Sequence, residues 1–390
     1  MRYVRFYFVL SFALLAGCAH QNTLAALPNA APAVQTRSAT PALFQVLYSF
    51  KGPTADGRRP VAPVLSGGGE FWGTTEYGGA NDSGTVFELK SDGTERVVHS
   101  FKGGSSDGGA PAAGLLSYNG AYYGVTKNGG TANRGVLFEL KGGTYKVIYS
   151  FAQSTGANPD GDLIAAGGVF YGTTLRGGAH HLGTVYSVTP TGHEKVLYSF
   201  AGGEDGANPM GALVKLGNNF YGTTYSGGGK NKGTVFGVTS SGKESVLHTF
   251  KGQGFQDGSN PAAGLVVLNN ALYGTTELGG LGCCGSVFQL QTNGNESLVY
   301  SFNNSSGNTP TAGLTVYNGT LYGTAALGGA YSFGTVFKVK TDGTFTVLHS
   351  FLGKDGSQPA ANVIVHNGKV YGTTVTGGSH SHGVVYDASP

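Results

Sequence analysis

The chain has 390 residues, among them 69 Gly, 22 Phe and 21 Tyr, with 12% charged residues, one Trp and two Met. Such usage excludes helical domains and suits short strands joined by tight turns, because glycine supplies the positive-φ positions that turns need. A net charge of +3 with 24 scattered Lys and Arg gives no basis for a nucleic-acid partner.

The first element in chain order is a targeting segment. Arg2 and Arg5 precede an apolar run, Phe6 to Ala16, and then Leu15-Ala16-Gly17-Cys18. A run this short with basic flanks reads as a cleavable signal over residues 1–17 rather than a spanning helix. The last four residues have the form of a bacterial lipobox. That form implies cleavage before Cys18, lipidation of its sulfur, and an exported protein anchored to a membrane in the cell envelope or at the cell surface. Residues 18–41, rich in Ala, Pro and Thr, read as a flexible tether.

Residues 42–390 consist of one tandem repeat with a period of roughly 50 residues. Seven segments of the form Tyr/Trp-Gly-Thr/Val-Thr/Ala place glycine at 73, 124, 172, 222, 274, 323 and 372. A proline precedes each at one constant offset: Pro60, Pro111, Pro159, Pro209, Pro261, Pro310 and Pro359. A glycine opening a Gly-Thr-Val-Phe-like run follows each at another: Gly84, Gly135, Gly183, Gly233, Gly285, Gly334 and Gly383. In the first six copies a Val-Leu-Tyr-Ser-Phe-like run comes next, ending at Phe101, Phe151, Phe200, Phe250, Phe302 and Phe351.

Each unit therefore carries four strands. In the second copy they are expected at about Ala113–Tyr118, Ala121–Thr126, Val136–Lys141 and Tyr145–Phe151. Their β-branched and aromatic content, with Gly, Asn and Asp at the ends, is that of strands and hairpins. Four strands repeated at this period predict an all-β, kelch-like β-propeller. The last copy stops after a third strand, Val384–Asp387, and the strand Phe44–Phe50 is a fourth strand with nothing before it. The two complete one blade, so seven blades close into a ring and no edges are left bare.

The run Phe/Leu-Tyr-Gly-Thr-Thr-x-x-Gly-Gly-x-x-x-x-Gly-Thr-Val-Phe, followed by Val-Leu-x-Ser-Phe, resembles the GloVer tandem repeat of bacterial exported proteins. The resemblance covers residues 42–390. It implies the propeller architecture and an exported, surface-anchored location, and it implies no particular activity.

Recurring residues have scaffold readings. Asp56, Asp107, Asp205, Asp257 and Asp355 precede a glycine and are expected to form Asx-type turns; a cation held by this ring near the channel mouth is the alternative. Variable residues are where a site belongs. The loops between second and third strands place His180, His181, Lys230, Lys232, Tyr331, Phe333, His380 and His382 on one rim, the candidate binding face. Cys283 and Cys284 form a vicinal pair that an oxidising compartment would convert to a disulfide.

The two histidine pairs fall on nearly opposite blades, so no shared metal site is expected. No cofactor motif, nucleophile–base pair or paired acid stands out. The sequence points to a binding or scaffold module for an extracellular glycan, peptide or protein. A polysaccharide hydrolase or lyase working at the channel mouth is the alternative.

Overall fold

A computed structural model describes residues 44–389, apart from residues 55, 62–64 and 68–69. The signal segment, Cys18 and the tether lie outside the described residues. Seven four-stranded antiparallel meanders are present. In blade 2 the strands are Leu116–Tyr118, Ala121–Gly129, Val136–Lys141 and Thr144–Ser150. Blades 1 and 3–6 repeat this plan over residues 65–100, 164–199, 214–249, 266–301 and 315–350. Blade 7 takes Ile364–His366, Lys369–Thr374 and Val384–Ala388, and its fourth strand is Phe44–Ser49, paired Phe44 to Ala388 and Ser49 to Val384. The ring closes as the half-blades required.

The first strand is shorter than the sequence suggests, three residues rather than six in blade 2. From blade 4 round to blade 1 the first strands contact their counterparts in neighbouring blades, so these strands crowd the axis and only a few residues fit before the chains diverge. Third and fourth strands carry a register shift at the same place in all seven blades, at Leu137/Phe138 in blade 2 and Val46/Tyr48 in blade 7. Such a bulge sharpens the local twist.

The repeat motif is explained by how blades pack. The phenylalanine ending each fourth strand meets the aromatic of the next blade's third strand edge-on. Phe50–Phe87, Phe101–Phe138, Phe151–Tyr186, Phe200–Phe236, Phe250–Phe288, Phe302–Phe337 and Phe351–Tyr386 have ring centroids 5.0 to 5.3 Å apart. All fourteen rings are buried, and each pair adds about 1 kcal/mol beyond the area it hides. The second ring of each pair lies over the glycine of its own Tyr-Gly-Thr-Thr run, which leaves no room for a side chain there. In blades other than blade 2, where Val125 takes its place, a threonine follows that glycine and ties its blade to the next. Its hydroxyl donates to a main-chain carbonyl across the boundary, as Thr74 to Ala113, Thr173 to Gly211, Thr223 to Ala263 and Thr275 to Ala312 at 2.7–3.0 Å.

Blades 3 and 7 carry tyrosine where the other five have phenylalanine, and the hydroxyls of Tyr186 and Tyr386 are buried with no hydrogen-bond partner. A buried unpartnered hydroxyl costs about 1–3 kcal/mol. Tyr186→Phe should therefore raise the unfolding free energy by about 1 kcal/mol in denaturant titration; a loss of stability would show that the hydroxyl is satisfied.

Candidate functional site

Loops between second and third strands share a face with the loops entering the next blade. The fourth variable residue of each, from Ser83 to His382, accepts through its carbonyl the N–H of the residue before the next blade's proline, such as Ala110, Asn158, Gln358 and Arg59. That donor has φ between 52° and 59° in all seven blades, and Asn158, Asn208 and Asn260 add a side-chain amide bond to the preceding blade. The rim is a set of loops pinned to one another.

The eight rim residues expected from sequence divide by loop position. His180, Lys230, Tyr331 and His380 are second in their loops and exposed. His181 is third, a place where Asp82, Asn133 and Asn231 accept the N–H of the loop's first glycine at 2.8–2.9 Å. His181 adopts the same left-handed backbone (φ 62°) without that bond, and its Nδ1 faces Gln153 at 3.0 Å. Ser332 and Ser381 take the same place with φ of 65° and 60°, so the backbone there belongs to the loop and not to His181 alone. Lys232, Phe333 and His382 are fourth, and each lies over a glycine of the next entering loop, at Gly252, Gly353 and Gly52. Part of their surface thus has a packing duty.

Apolar exposure is concentrated on one arc of this rim. Among the described residues, six of the seven exposed large apolar side chains lie here: Leu281 (64% exposed), Phe255 (60%), Tyr331 (55%), Phe333, Leu278 and Leu352. They follow one another from the loop entering blade 5 to the loop entering blade 7. Lys230 Nζ lies 6.0 Å from the Phe255 ring at one end. Cys283 and Cys284 belong to the same arc: both are free thiols with Sγ atoms 2.7 Å apart, Cys283 exposed and Cys284 buried. Burial, and then Cys283, push the Cys284 thiol up to about 12.

Inside the rim is a charged mouth that the sequence reading passed over. The residue after Tyr-Gly-Thr-Thr and those after the proline surround the start of the inner strands. There Lys127 Nζ pairs with Asp160 at 2.9 Å, across blades 2 and 3. Desolvation pulls the Lys127 ammonium down, but Asp160 and Glu76 more than offset it and hold it above the usual lysine range. Asp162 accepts the Gly114 N–H at 2.5 Å. Burial raises its carboxyl, that bond partly opposes the shift, and Asp160 adds to it. On the other side Tyr225 and Glu277 face each other, both raised, by burial first. In blades 6 and 7 the same place holds Ala326 and Val375. The signal was present as Asp160-x-Asp162 and as the variable position after Thr-Thr, which reads Glu76, Lys127, Leu175, Tyr225, Glu277, Ala326 and Val375 around the ring. A separate recess of about 240 Å³ lies on the outer flank of blade 4, bounded by Tyr221, Gly237, Val246 and Asn293.

The recurring aspartates do not ring the mouth. Each reaches back to the N–H of the residue after the strand-ending phenylalanine: Lys51, Lys102, Ala201, Lys251 and Leu352, at 2.7–3.2 Å. Thr155 and Ser306 do the same with hydroxyls. This differs from the forward Asx turn expected, because the carboxylate caps the loop from its far end. Each also joins a clasp between outer strands of adjacent blades. Tyr48 donates to Asp56 at 2.6 Å and meets Glu95 at 3.4 Å; His99 stacks on Tyr145 and His349 on Phe44, with centroids 3.9 and 3.6 Å apart.

Where the clasp sets glutamate beside tyrosine and aspartate, desolvation followed by that aspartate raises the carboxyl, to about 7 at both Glu95 and Glu244, from a usual 4.5. Between pH 4.5 and 7 the folded chain retains these two protons and the unfolded chain does not. Their contribution is complete below about pH 4.5 and lost as pH rises through 7. Discounted for partial exposure, each is worth about 1–2 kcal/mol. His349, lowered by burial, acts in the opposite sense below its usual 6.5 and offsets a part. Tm should fall from pH 5 to pH 8, and Glu95→Gln with Glu244→Gln should flatten that slope in a differential scanning series.

A closed ring of seven four-stranded blades, with one variable face over a charged mouth, defines a β-propeller repeat protein. The family model of the Gloeobacter/Verrucomicrobia repeat matches residues 33–236 and again 203–386, and the chain belongs to that family. No curated protein matches it. Among solved structures it is similar to a puromycin hydrolase (12% identity, TM-score 0.53, covering 82% of this chain and 50% of that one). It is also similar to PorZ of Porphyromonas gingivalis (14%, 0.50, 87% and 47%) and a putative 6-phosphogluconolactonase of Bacteroides uniformis (15%, 0.50, 78% and 88%). The chain spans about half the length of the first two. Likeness at this identity is of fold.

Proposed function

We propose that the protein is an exported, lipid-anchored recognition module whose rim binds an extracellular glycan, with the apolar arc of blades 5 and 6 as the centre of the site. The observation that carries this reading is the gathering of exposed Leu281, Tyr331, Phe333 and their neighbours on one arc of a rim whose backbone is otherwise pinned. Aromatic faces stack on sugar rings, and a preformed surface loses little entropy on binding. Lys230, His180 and His380 at flanking loop tips suit the hydroxyls or acid groups of such a chain. Peptide and protein ligands are other outcomes of the same test.

The test is a glycan and cell-wall array probed with the mature chain. Tyr331→Ala should weaken binding about tenfold and Phe333→Ala comparably, with no reducing ends released. Binding that survives both changes sinks the reading. A second reading, a polysaccharide hydrolase or lyase, draws on Asp162, held towards its neutral form beside Asp160 and Lys127. It requires turnover that Asp162→Asn abolishes and Tyr331→Ala leaves intact.

A further inference from the structure

The seven outer clasps are seven versions of one site, and comparing them isolates one. Each brings together the aromatic two positions before the strand-ending phenylalanine, the Asp, Thr or Ser of the entering loop, and a residue at the start of the next blade's outer strand. The triplets are Tyr48–Asp56–Glu95, His99–Asp107–Tyr145, Tyr149–Thr155–Glu194, Tyr198–Asp205–Glu244, His248–Asp257–Glu296, Tyr300–Ser306–Phe345 and His349–Asp355–Phe44. Two of the three histidines have an aromatic partner and stack on it. All three glutamates other than Glu296 have a tyrosine partner. Only between blades 4 and 5, among these seven, does an imidazole meet two carboxylates.

There a ring nitrogen of His248, an oxygen of Asp257 and an oxygen of Glu296 all lie within 4.8 Å of one another. Asp257 Oδ2 accepts the Lys251 N–H at 2.8 Å, and His248 Nε2 lies 3.3 Å from it and 3.4 Å from Oδ1. These are long for hydrogen bonds; His99 and Asp107 stand equally far apart, with an aromatic in place of the second carboxylate, and His349 approaches Asp355 to 2.9 Å. They suit two ligands of a single ion, since tetrahedral Zn2+ with bonds of about 2.0–2.1 Å sets its ligand atoms about 3.3–3.4 Å apart. Asp257 and His248 are largely buried.

We propose that the His248–Asp257–Glu296 clasp binds one first-row divalent metal ion of the zinc class, with water completing its shell. Imidazole plus carboxylate is a zinc donor set, and three protein ligands leave the fourth position open. The ion would tie the loop entering blade 5, which carries Phe255, to the outer strand of that blade. The sequence offered a cation only as an alternative for the ring of aspartates, Asp257 among them, and did not join Asp257 to His248 and Glu296, because Glu296 stands in a different repeat from His248 and the two meet only across a blade boundary.

The test is zinc content by mass spectrometry and by calorimetric titration with ZnCl2 on the mature chain, with Cys283→Ser excluding the thiol. Wild type should bind one equivalent that Glu296→Phe removes, a change the His349–Asp355–Phe44 clasp already tolerates. Tyr145→Glu should add a second equivalent, because His99 and Asp107 already stand 3.3 Å apart. If Glu296→Phe fails to fold, Glu296→Gln and Tyr145→Glu decide. Replacing His180, His181, His380 and His382 with alanine should leave the equivalent in place. Zinc unaffected by Glu296→Phe, lost in the rim variant, or absent from wild type overturns the proposal.

Discussion

Gly274→Ala should cost about 3 kcal/mol and lower Tm by roughly 4 °C. Its φ is ordinary, so the effect is one of space alone. A Cβ there would stand 2.6 Å from Phe288 Cζ and 2.7 Å from Leu265 Cδ2, and both side chains are buried. Neither has room to yield, because Phe288 is also braced by Phe250 from the preceding blade at 5.2 Å. Overpacking of this kind forces rings from their rotamers or blades apart. Phe288→Leu shortens the obstructing group, so the double variant should lose less than the sum of the singles, by about 1 kcal/mol or more. Chemical denaturation of the four proteins of that cycle provides the check. Simple additivity would mean the glycine is required for another reason.

Removing residues 44–50 should abolish the folded ring altogether. That segment is the outer strand of blade 7 and pairs along Val384–Ala388. Its loss would bare the Val384–Ala388 edge, uncover Phe87 where Phe50 packs, and unstack His349 from Phe44. Losing a buried aromatic costs about 3–5 kcal/mol, and here several go together, against a total stability of about 5–15 kcal/mol. An unpaired strand of Val and Tyr also invites association. Size-exclusion chromatography should show aggregate rather than monomer. Because Phe44 lies beside Ala388, a circular permutant joining these ends and opening the exposed turn at Asp92-Gly93 should remain a monomer. A stable monomer from the simple deletion would mean that the ring is not closed by this strand.

The site was legible only in part. The loop tips His180, Lys230, Tyr331 and His380 could be placed on the rim because the repeat sets the loop register. Their differing neighbours could not. Phe333 and His382 lie over glycines of the next blade, and Phe255, Leu278, Leu281 and Leu352 join the arc although none of them had been singled out as a site residue. The mouth was missed because Lys127 and Asp160 belong to different blades and pair only where those blades dock. Each of those positions, read within its own repeat, looked like ordinary variation.

By itself the sequence determined the architecture. Blade number, strand order and closure follow from the spacing of Pro, Gly-Thr-Thr, Gly-Thr-Val-Phe and Ser-Phe, because these residues act locally or on the adjacent blade in the same way every time. The tertiary structure alone decided which single substitutions meet. His248 finds Glu296, Lys127 finds Asp160 and Phe44 finds His349 only when neighbouring blades dock and the ring shuts. A strict repeat fixes the scaffold through the positions it shares; the exceptions acquire chemistry from whichever exceptions the next blade brings beside them.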